Sequence, residues 1–357
     1  MSLAAFHKEF GAVLAPDEIP LHYGDQPAEY LAGLNTVVLM DRSHEGRLEL
    51  SGKDRFEIIQ RTSTNDVLHM GIGAARATIF TNPTGRILDR ITLYNRGETA
   101  LALTEPGRGA AVQQYIQRQV FFNDDLRLKD LSTTTRMFSL HGPAASTVIR
   151  ELTQTGDTTL QDSYPVGHEG LIFFAGQRKS LSGTHWALVV EHKQAEAVWK
   201  LLADRIAAQG GRLAGSLTYN TLRIRAGRPG VGRELTTDYI PLEAGLWDEV
   251  SFSKGCYTGQ EIIARMESRN KLAKTLVTLR LNAPVESPAE LTVEGRASGT
   301  LTSSVTTPAG EHLGIAYIKV GQAVPGQVVE AGSGRIPAEV IALAGAQPPS
   351  LVTEPDR

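Results

Sequence analysis

Polar and apolar positions alternate over residues 43–50, which puts Leu48 and Leu50 on one face and predicts a strand. Ser51-Gly52-Lys53-Asp54 then opens a helix to about Arg61, with Phe56, Ile58 and Ile59 as its apolar positions. A polar segment, 60–67, closes it. Strands are predicted at 75–80 and 87–95, joined by the turn Asn82-Pro83-Thr84-Gly85, and again at 99–103. Pro106 can begin a helix reaching about Val120. The order then recurs. A strand at 135–140 precedes a helix led by Gly142-Pro143 to about Leu152. Strands at 171–175 and 186–190 precede the clearest helix, 191–209, whose Val198, Leu201, Leu202 and Ile206 share a side and which Gly210-Gly211 closes. Strand, helix, two strands, helix, met twice, predicts two α+β lobes with antiparallel sheets. Ahead of them, residues 1–35 predict a short helix and a turn.

After about Leu272 the texture changes. Short strands at 276–281, 291–294, 298–305, 313–318 and 327–331 are separated by Gly/Pro turns, with no helical period. They predict a small β-barrel or sandwich. Residues 346–357 read as a disordered tail.

Composition narrows the class. A chain of 357 residues, 41% apolar, is long enough for about two to three domains with true cores. A net charge of −3 gives no broad nucleic-acid footprint. The single cysteine excludes an intrachain disulfide framework and any self-contained cysteine-ligated cluster or zinc site, and it fits a reducing compartment. No apolar run has the length of a signal core or a membrane span, so a soluble, cytoplasmic protein is expected.

That cysteine stands in Lys254-Gly255-Cys256-Tyr257-Thr258-Gly259-Gln260-Glu261. Thr258 and Glu261 have the spacing of a capping box, and Ile262, Ile263 and Met266 supply the apolar stripe of a helix behind it. Cys256 would precede the Thr258 N-cap, where the helix dipole and Lys254 both favour a thiolate. Two readings stand: an inert, half-buried thiol, or a reactive one able to contact a metal shared with a partner. Asp89 in Gly85-Arg86-Ile87-Leu88-Asp89-Arg90 either pairs with a neighbouring arginine or faces a pocket as an acceptor. Glu243 in Pro241-Leu242-Glu243-Ala244-Gly245 either caps a helix or meets the amidine edge of a ligand. Arg223 and Arg225 would share a side if extended, as a solvated pair or as a clamp for a carboxylate. Neither Gly71-Ile72-Gly73 nor Gly227-Arg228-Pro229-Gly230 is a dinucleotide fingerprint, and the nine histidines have no metal-ligand spacing, so no resident metal is expected.

Several segments together resemble a known family. Met40-Asp41-Arg42-Ser43-His44-Glu45-Gly46, Ser51-Gly52-Lys53-Asp54, Thr64-Asn65-Asp66-Val67 and Gly85-x-Ile87-Leu88-Asp89 resemble the N-terminal half of the glycine cleavage T-protein, the aminomethyltransferase. Leu222-Arg223-x-x-Ala226-Gly227 and Pro241-Leu242-Glu243-Ala244 continue the match, and Gly299–Ser303 with Leu313–Tyr317 resembles the family's C-terminal barrel. The resemblance implies a three-domain fold around a central, folate-sized hole. Its lobes would be 1–50 with 135–272, then 51–134, then a barrel over 273–345.

The motif Lys254–Glu261 is similar to the signature of the YgfZ-type folate-binding proteins, a branch implicated in assembly or repair of iron–sulfur clusters and, through cluster enzymes, in tRNA modification. T-proteins carry no cysteine there. They also have a folate-contacting glutamate where this chain has Ser182-Gly183-Thr184-His185-Trp186-Ala187, and Asp-Asp where it has Asp89-Arg90. The resemblance therefore implies a tetrahydrofolate-binding accessory protein, with the folate or a one-carbon derivative near Asn65, Asp66, Asp89, Arg223 and Glu243. Cys256 and Asp89 would be the chemically active groups. Its partners would be iron–sulfur assembly proteins or cluster-containing client enzymes, with no direct nucleic acid and no membrane. The alternatives are a folate-dependent aminomethyltransferase or other one-carbon transferase, and a pure scaffold.

Overall fold

The computed structural model describes residues 3–154, 160–268 and 272–346. It divides into two compact units: residues 1–60, 66–77 and 91–222, and residues 61–65, 78–90 and 223–357.

The first unit holds a six-stranded sheet in the spatial order Ser163–His168, Leu171–Arg178, Thr184–Glu191, Thr135–Gly142, Val38–Asp41, Arg212–Leu213. Its pairings are antiparallel except the last, where Arg212 and Leu213 run parallel to Val38 and Leu39. Strand periodicity decides what each face does. Phe138, Leu140, Trp186, Leu188 and Val190 form one core with the helices Ala145–Thr153 and Ala195–Ala208, which contribute Val148, Ile149, Val198 and Trp199. The alternate residues Met137, Ala187 and Val189 form a second core with Tyr94, Leu101 and Leu103. Those three belong to a five-stranded sheet ordered Ala75–Thr81, Ile87–Asn95, Ala100–Pro106, Glu45–Ser51, Arg127–Asp130.

The second unit contains a closed six-stranded barrel in the order Lys274–Leu281, His312–Lys319, Arg296–Thr306, Ala289–Val293, Val328–Ala331, Ile336–Leu343. Lys274–Leu281 also pairs with Ile336–Leu343, which removes both sheet edges. Val277, Leu279, Leu291, Leu301, Ala316, Val329 and Val340 fill the interior.

Expected elements and observed ones agree in kind and shift at their ends. The helix expected from Pro106 begins at Gly109, because Pro106 closes the preceding strand instead. Arg223 and Arg225 are not extended. They end the helix Ser216–Arg225, so they diverge instead of sharing a side. Seven of the described strands were not predicted: Val13–Leu14, Pro20–His22, Val38–Asp41, Arg127–Asp130, Ser163–His168, Arg212–Leu213 and Ile336–Leu343. Three of them show why. Val38–Asp41 is buried at every position and cannot alternate. Arg127–Asp130 is a polar edge strand. In Ile336–Leu343 the inward positions include small Ala338. Ala346 is the only described residue of the expected tail; 347–357 lie outside the described residues.

Candidate functional site

The motif Lys254–Glu261 forms a loop held at both ends by segments far away in sequence. At its start, the Lys254 ammonium donates to the carbonyl oxygens of Ser63 (2.7 Å) and Asn65 (2.8 Å). It also sits 5.1 Å from the centre of the Tyr257 ring. Just before the loop, Ser251 N donates to Thr64 O (3.0 Å), Thr64 Oγ1 donates to Glu249 O (2.7 Å), and Asn65 Nδ2 donates to Asp248 O (3.3 Å). The segment Ser63–Asn65 thus runs alongside 248–254.

At the far end, Thr81 Oγ1 donates to Thr258 O (2.5 Å). Gly259 sits at φ +84, and a Cβ there would lie 2.6 Å from Asn82 O and 2.9 Å from Gly85 Cα. Only glycine fits both the backbone angle and that contact. The helix begins at Gln260, so Gly259, not Thr258, precedes it, and the capping box does not form: Glu261 reaches forward to Arg265 (2.6 Å). Between the anchors, Tyr257 is buried with Ile240, Leu242, Trp247, Val250 and Ile263, and burial pushes its phenol up to about 12. Gly255 and Cys256 are exposed, and a Cβ on Gly255 would meet open space. The thiol is therefore presented to solvent on a loop whose shoulders are fixed. Lys254 faces backbone carbonyls, and Tyr257, Thr258 and Gly259 separate Cys256 from the first helical residue.

Behind the loop lies a continuous ladder. Ser63 bridges Phe80, Thr64 N donates to Ile79 O (3.0 Å), and Asn65 N donates to Thr78 Oγ1 (2.9 Å). Ala75–Thr81 in turn neighbours Ile87–Asn95 in the sheet, the strand that carries Asp89. Asp89 is buried, at 7% exposure. The adjacent Arg90 forms a two-pronged buried pair with Glu249, Nε to Oε2 at 2.5 Å and a terminal nitrogen to Oε1 at 2.7 Å. The arginine that replaces the expected second aspartate therefore holds 247–249 in place. Sequence reasoning missed this pair: no local pattern links positions 90 and 249.

The other expected site residues divide. Glu243 is buried, accepts from Ile240 N (3.2 Å) and lies 3.6 Å from an Arg86 nitrogen. Burial raises its carboxyl above the usual range, against the opposing hydrogen bond from Ile240 and the charges of Lys274 and Arg86. Arg223 is engaged by buried Glu234 (3.2 Å), Ser303 Oγ (3.0 Å) and Arg228 O (3.4 Å). Arg225 instead meets Glu311 (2.8 Å) at the surface. Asn65, Asp89, Arg223 and Glu243 lie in the second unit with the cysteine loop; Asp66 belongs to the first. Its Oδ1 accepts from Gln60 Nε2 (3.1 Å) and Leu68 N (3.2 Å), and Oδ2 lies 3.0 Å from His69 Nδ1, a turn-forming role.

In the first unit, Asp41–Glu45 builds a buried polar nexus. Asp41 meets His7 (2.9 Å), Glu45 meets Arg42 (2.7 Å) and Arg178, and Arg42 lies 3.6 Å from the centre of the Tyr219 ring. The rings of His141 and His185 pack beside it at a tilt of 32°, with centres 4.0 Å apart. Elsewhere in this unit a cleft of about 1000 Å³ is lined by Arg96, Lys129, Phe173, Phe174 and Glu191, and by none of the expected site residues. Among the described residues no group of three or more His, Cys, Asp or Glu could hold a metal ion. No helix among them is long and apolar enough to cross a membrane.

Comparison with known proteins agrees with this architecture. A chloroplastic protein of Arabidopsis thaliana named as a transferase is 33% identical over 88% of this chain and 73% of its own length. The aminomethyltransferase of Saccharopolyspora erythraea is 29% identical over 96% of both chains. The crystal structure of glycine cleavage system aminomethyltransferase T from Bartonella henselae superposes with a TM-score of 0.81 over 96% of both chains, at 20% identity, and shares the fold. The family model described as the GCVT N-terminal domain matches residues 4–254, and the chain belongs to that family.

Proposed function

We propose that this protein is a tetrahydrofolate-binding accessory factor for the assembly or repair of iron–sulfur clusters, with Cys256 as its functional thiol. The observation that carries the reading is the strapping of the cysteine loop onto Ser63–Asn65, one strand pair away from Asp89. Two motifs that sequence could only set side by side share one support. In this reading Asp89 and Asn65 supply polar contacts to the pterin edge. Glu243, buried in the same unit, supplies a further acceptor, its carboxyl raised above the usual range by burial. A single exposed thiol cannot hold a cluster, but it can serve as one transient ligand in a site completed by a client protein, the cluster being cargo. Cytoplasmic iron–sulfur proteins would be the partners.

A second reading, folate-dependent aminomethyl transfer, is favoured by relatives named aminomethyltransferase. Calorimetry with tetrahydrofolate, combined with an assay for ammonia and methylene-tetrahydrofolate released from an aminomethylated lipoyl carrier, separates the two. The accessory reading expects saturable binding, weakened about tenfold or more in Asp89→Asn by loss of a charge-assisted hydrogen bond. It expects no robust turnover. Turnover that persists in Cys256→Ala would overturn it.

A further inference from the structure

We propose that Ser63–Asn65 couples occupancy of the ligand site to the order of the cysteine loop, with Lys254 as the link. This rests on the folate reading above and adds a regulatory property to the same site. Three features of the second unit carry it. First, the loop's tip has little support of its own: Phe252, Ser253, Gly255 and Cys256 are exposed. Second, beyond the bonds that hold 248–251 to Thr64 and Asn65, the loop itself is tied at its start by two bonds from Lys254 to carbonyls of Ser63–Asn65. A charged donor to two carbonyls is among the stronger polar ties available, and it is severed as a unit when the segment moves. Third, Ser63–Asn65 is itself a rung of the ladder that leads through Thr78–Phe80 to the strand of Asp89. Asn65 takes part in both directions: its amide is held by Thr78, its carbonyl holds Lys254, and its side chain holds Asp248.

A ligand engaging Asn65 and Asp89 restrains the segment that receives Lys254. The docked loop is thereby favoured over states in which it opens, and by linkage a docked loop favours the ligand by the same factor. The exposed thiol is then offered in one fixed geometry when the site is filled and in many when it is empty. Lys254 acts as a positioning residue.

The test is amide hydrogen exchange of the peptide spanning 250–260, with and without saturating 5-formyltetrahydrofolate, whose binding is confirmed by calorimetry. Exchange in the wild type should slow about fivefold or more on binding, at the low end of ordinary coupling factors. In Lys254→Met exchange should be fast and insensitive to ligand, while Lys254→Arg, which can still reach two carbonyls, restores part of the response. Protection that persists in Lys254→Met means the ligand covers the loop directly and overturns the proposal, as does confirmed binding with unchanged exchange in the wild type. Absence of saturable binding overturns the folate reading and the coupling with it. Should Lys254→Met fold poorly, a second measurement on the wild-type sequence decides. Modifying Cys256 with a small thiosulfonate should change ligand affinity and loop exchange by matching factors, and a change in only one contradicts coupling.

Discussion

His141 is fully buried against His185, with Nε2 on Ser139 Oγ (2.9 Å), and burial lowers its imidazole to about 3. His44 is lowered to about 4, by burial and then by the Arg42 charge. Both stay neutral in the folded protein across the physiological range. In the unfolded chain they take up a proton near pH 6.5. Between that value and the folded values the unfolded state binds more protons, so stability falls as pH falls, by about 1.4 kcal/mol per pH unit for each histidine. Glu45 extends the loss below about pH 4.5. Burial opposes its ionisation, but Arg178 and Arg42 hold it down to about 2. Denaturant unfolding from pH 7 to 5 should show the histidine slope, and His141→Gln should reduce it by one proton's worth. An identical slope in the variant would contradict the burial argument. A second residue-scale prediction concerns Arg90 and Glu249, each about 2% exposed. Glu249→Gln removes the carboxylate charge that faces a buried guanidinium and should cost about 3–5 kcal/mol in thermal or denaturant unfolding. The paired change Arg90→Met with Glu249→Leu should cost less than the sum of its single variants.

The cysteine loop and the turn it rests on belong to the scale of elements. Gly259→Ala places a Cβ against the Asn82 carbonyl and Gly85 in a left-handed backbone, and should cost about 1–3 kcal/mol while freeing the start of the helix Gln260–Ser268. Gly255→Ala meets open space and should be nearly neutral in the same unfolding measurement. Equal effects of the two would mean that the close approach is not what fixes the loop. These elements also show where sequence reading ends. The motif predicted a loop, a helix behind it and either an inert, half-buried thiol or a reactive one, because glycine spacing and the apolar stripe are local signals; the exposure of the thiol is seen only in the structure. It assigned Lys254 to the thiol and Thr258 to the helix cap, since both are near in sequence. The actual partners are 191 and 177 positions away, Ser63 and Thr81, and no local period encodes them. Arg223 and Arg225 were misplaced for a related reason: alternating arginines fit an extended segment, whereas the helix Ser216–Arg225 takes its stability from packing at Leu222 and Ile224.

For the whole molecule, the fold was the most legible level. Two runs of strand, helix, two strands, helix, followed by five short strands, predicted antiparallel α+β lobes and a small barrel or sandwich, because periodicity survives errors of a few residues at element ends; the structure has a six-stranded barrel. Barrel closure was not legible: Ile336–Leu343 turns inward on Ala338 and Val340, a weak hydrophobic signal. In the function proposed above, the eight residues Lys254–Glu261 would set the branch within the family, and Cys256 would be the group among them that acts. The most direct measurement is complementation of a strain lacking its own protein of this kind, wild type against Cys256→Ala, read out by a cluster-dependent enzyme and paired with calorimetric folate binding of both purified proteins. The prediction is full rescue by the wild type and little by Cys256→Ala, with equal folding and folate affinity. Full rescue by Cys256→Ala would contradict it and leave the thiol a structural residue.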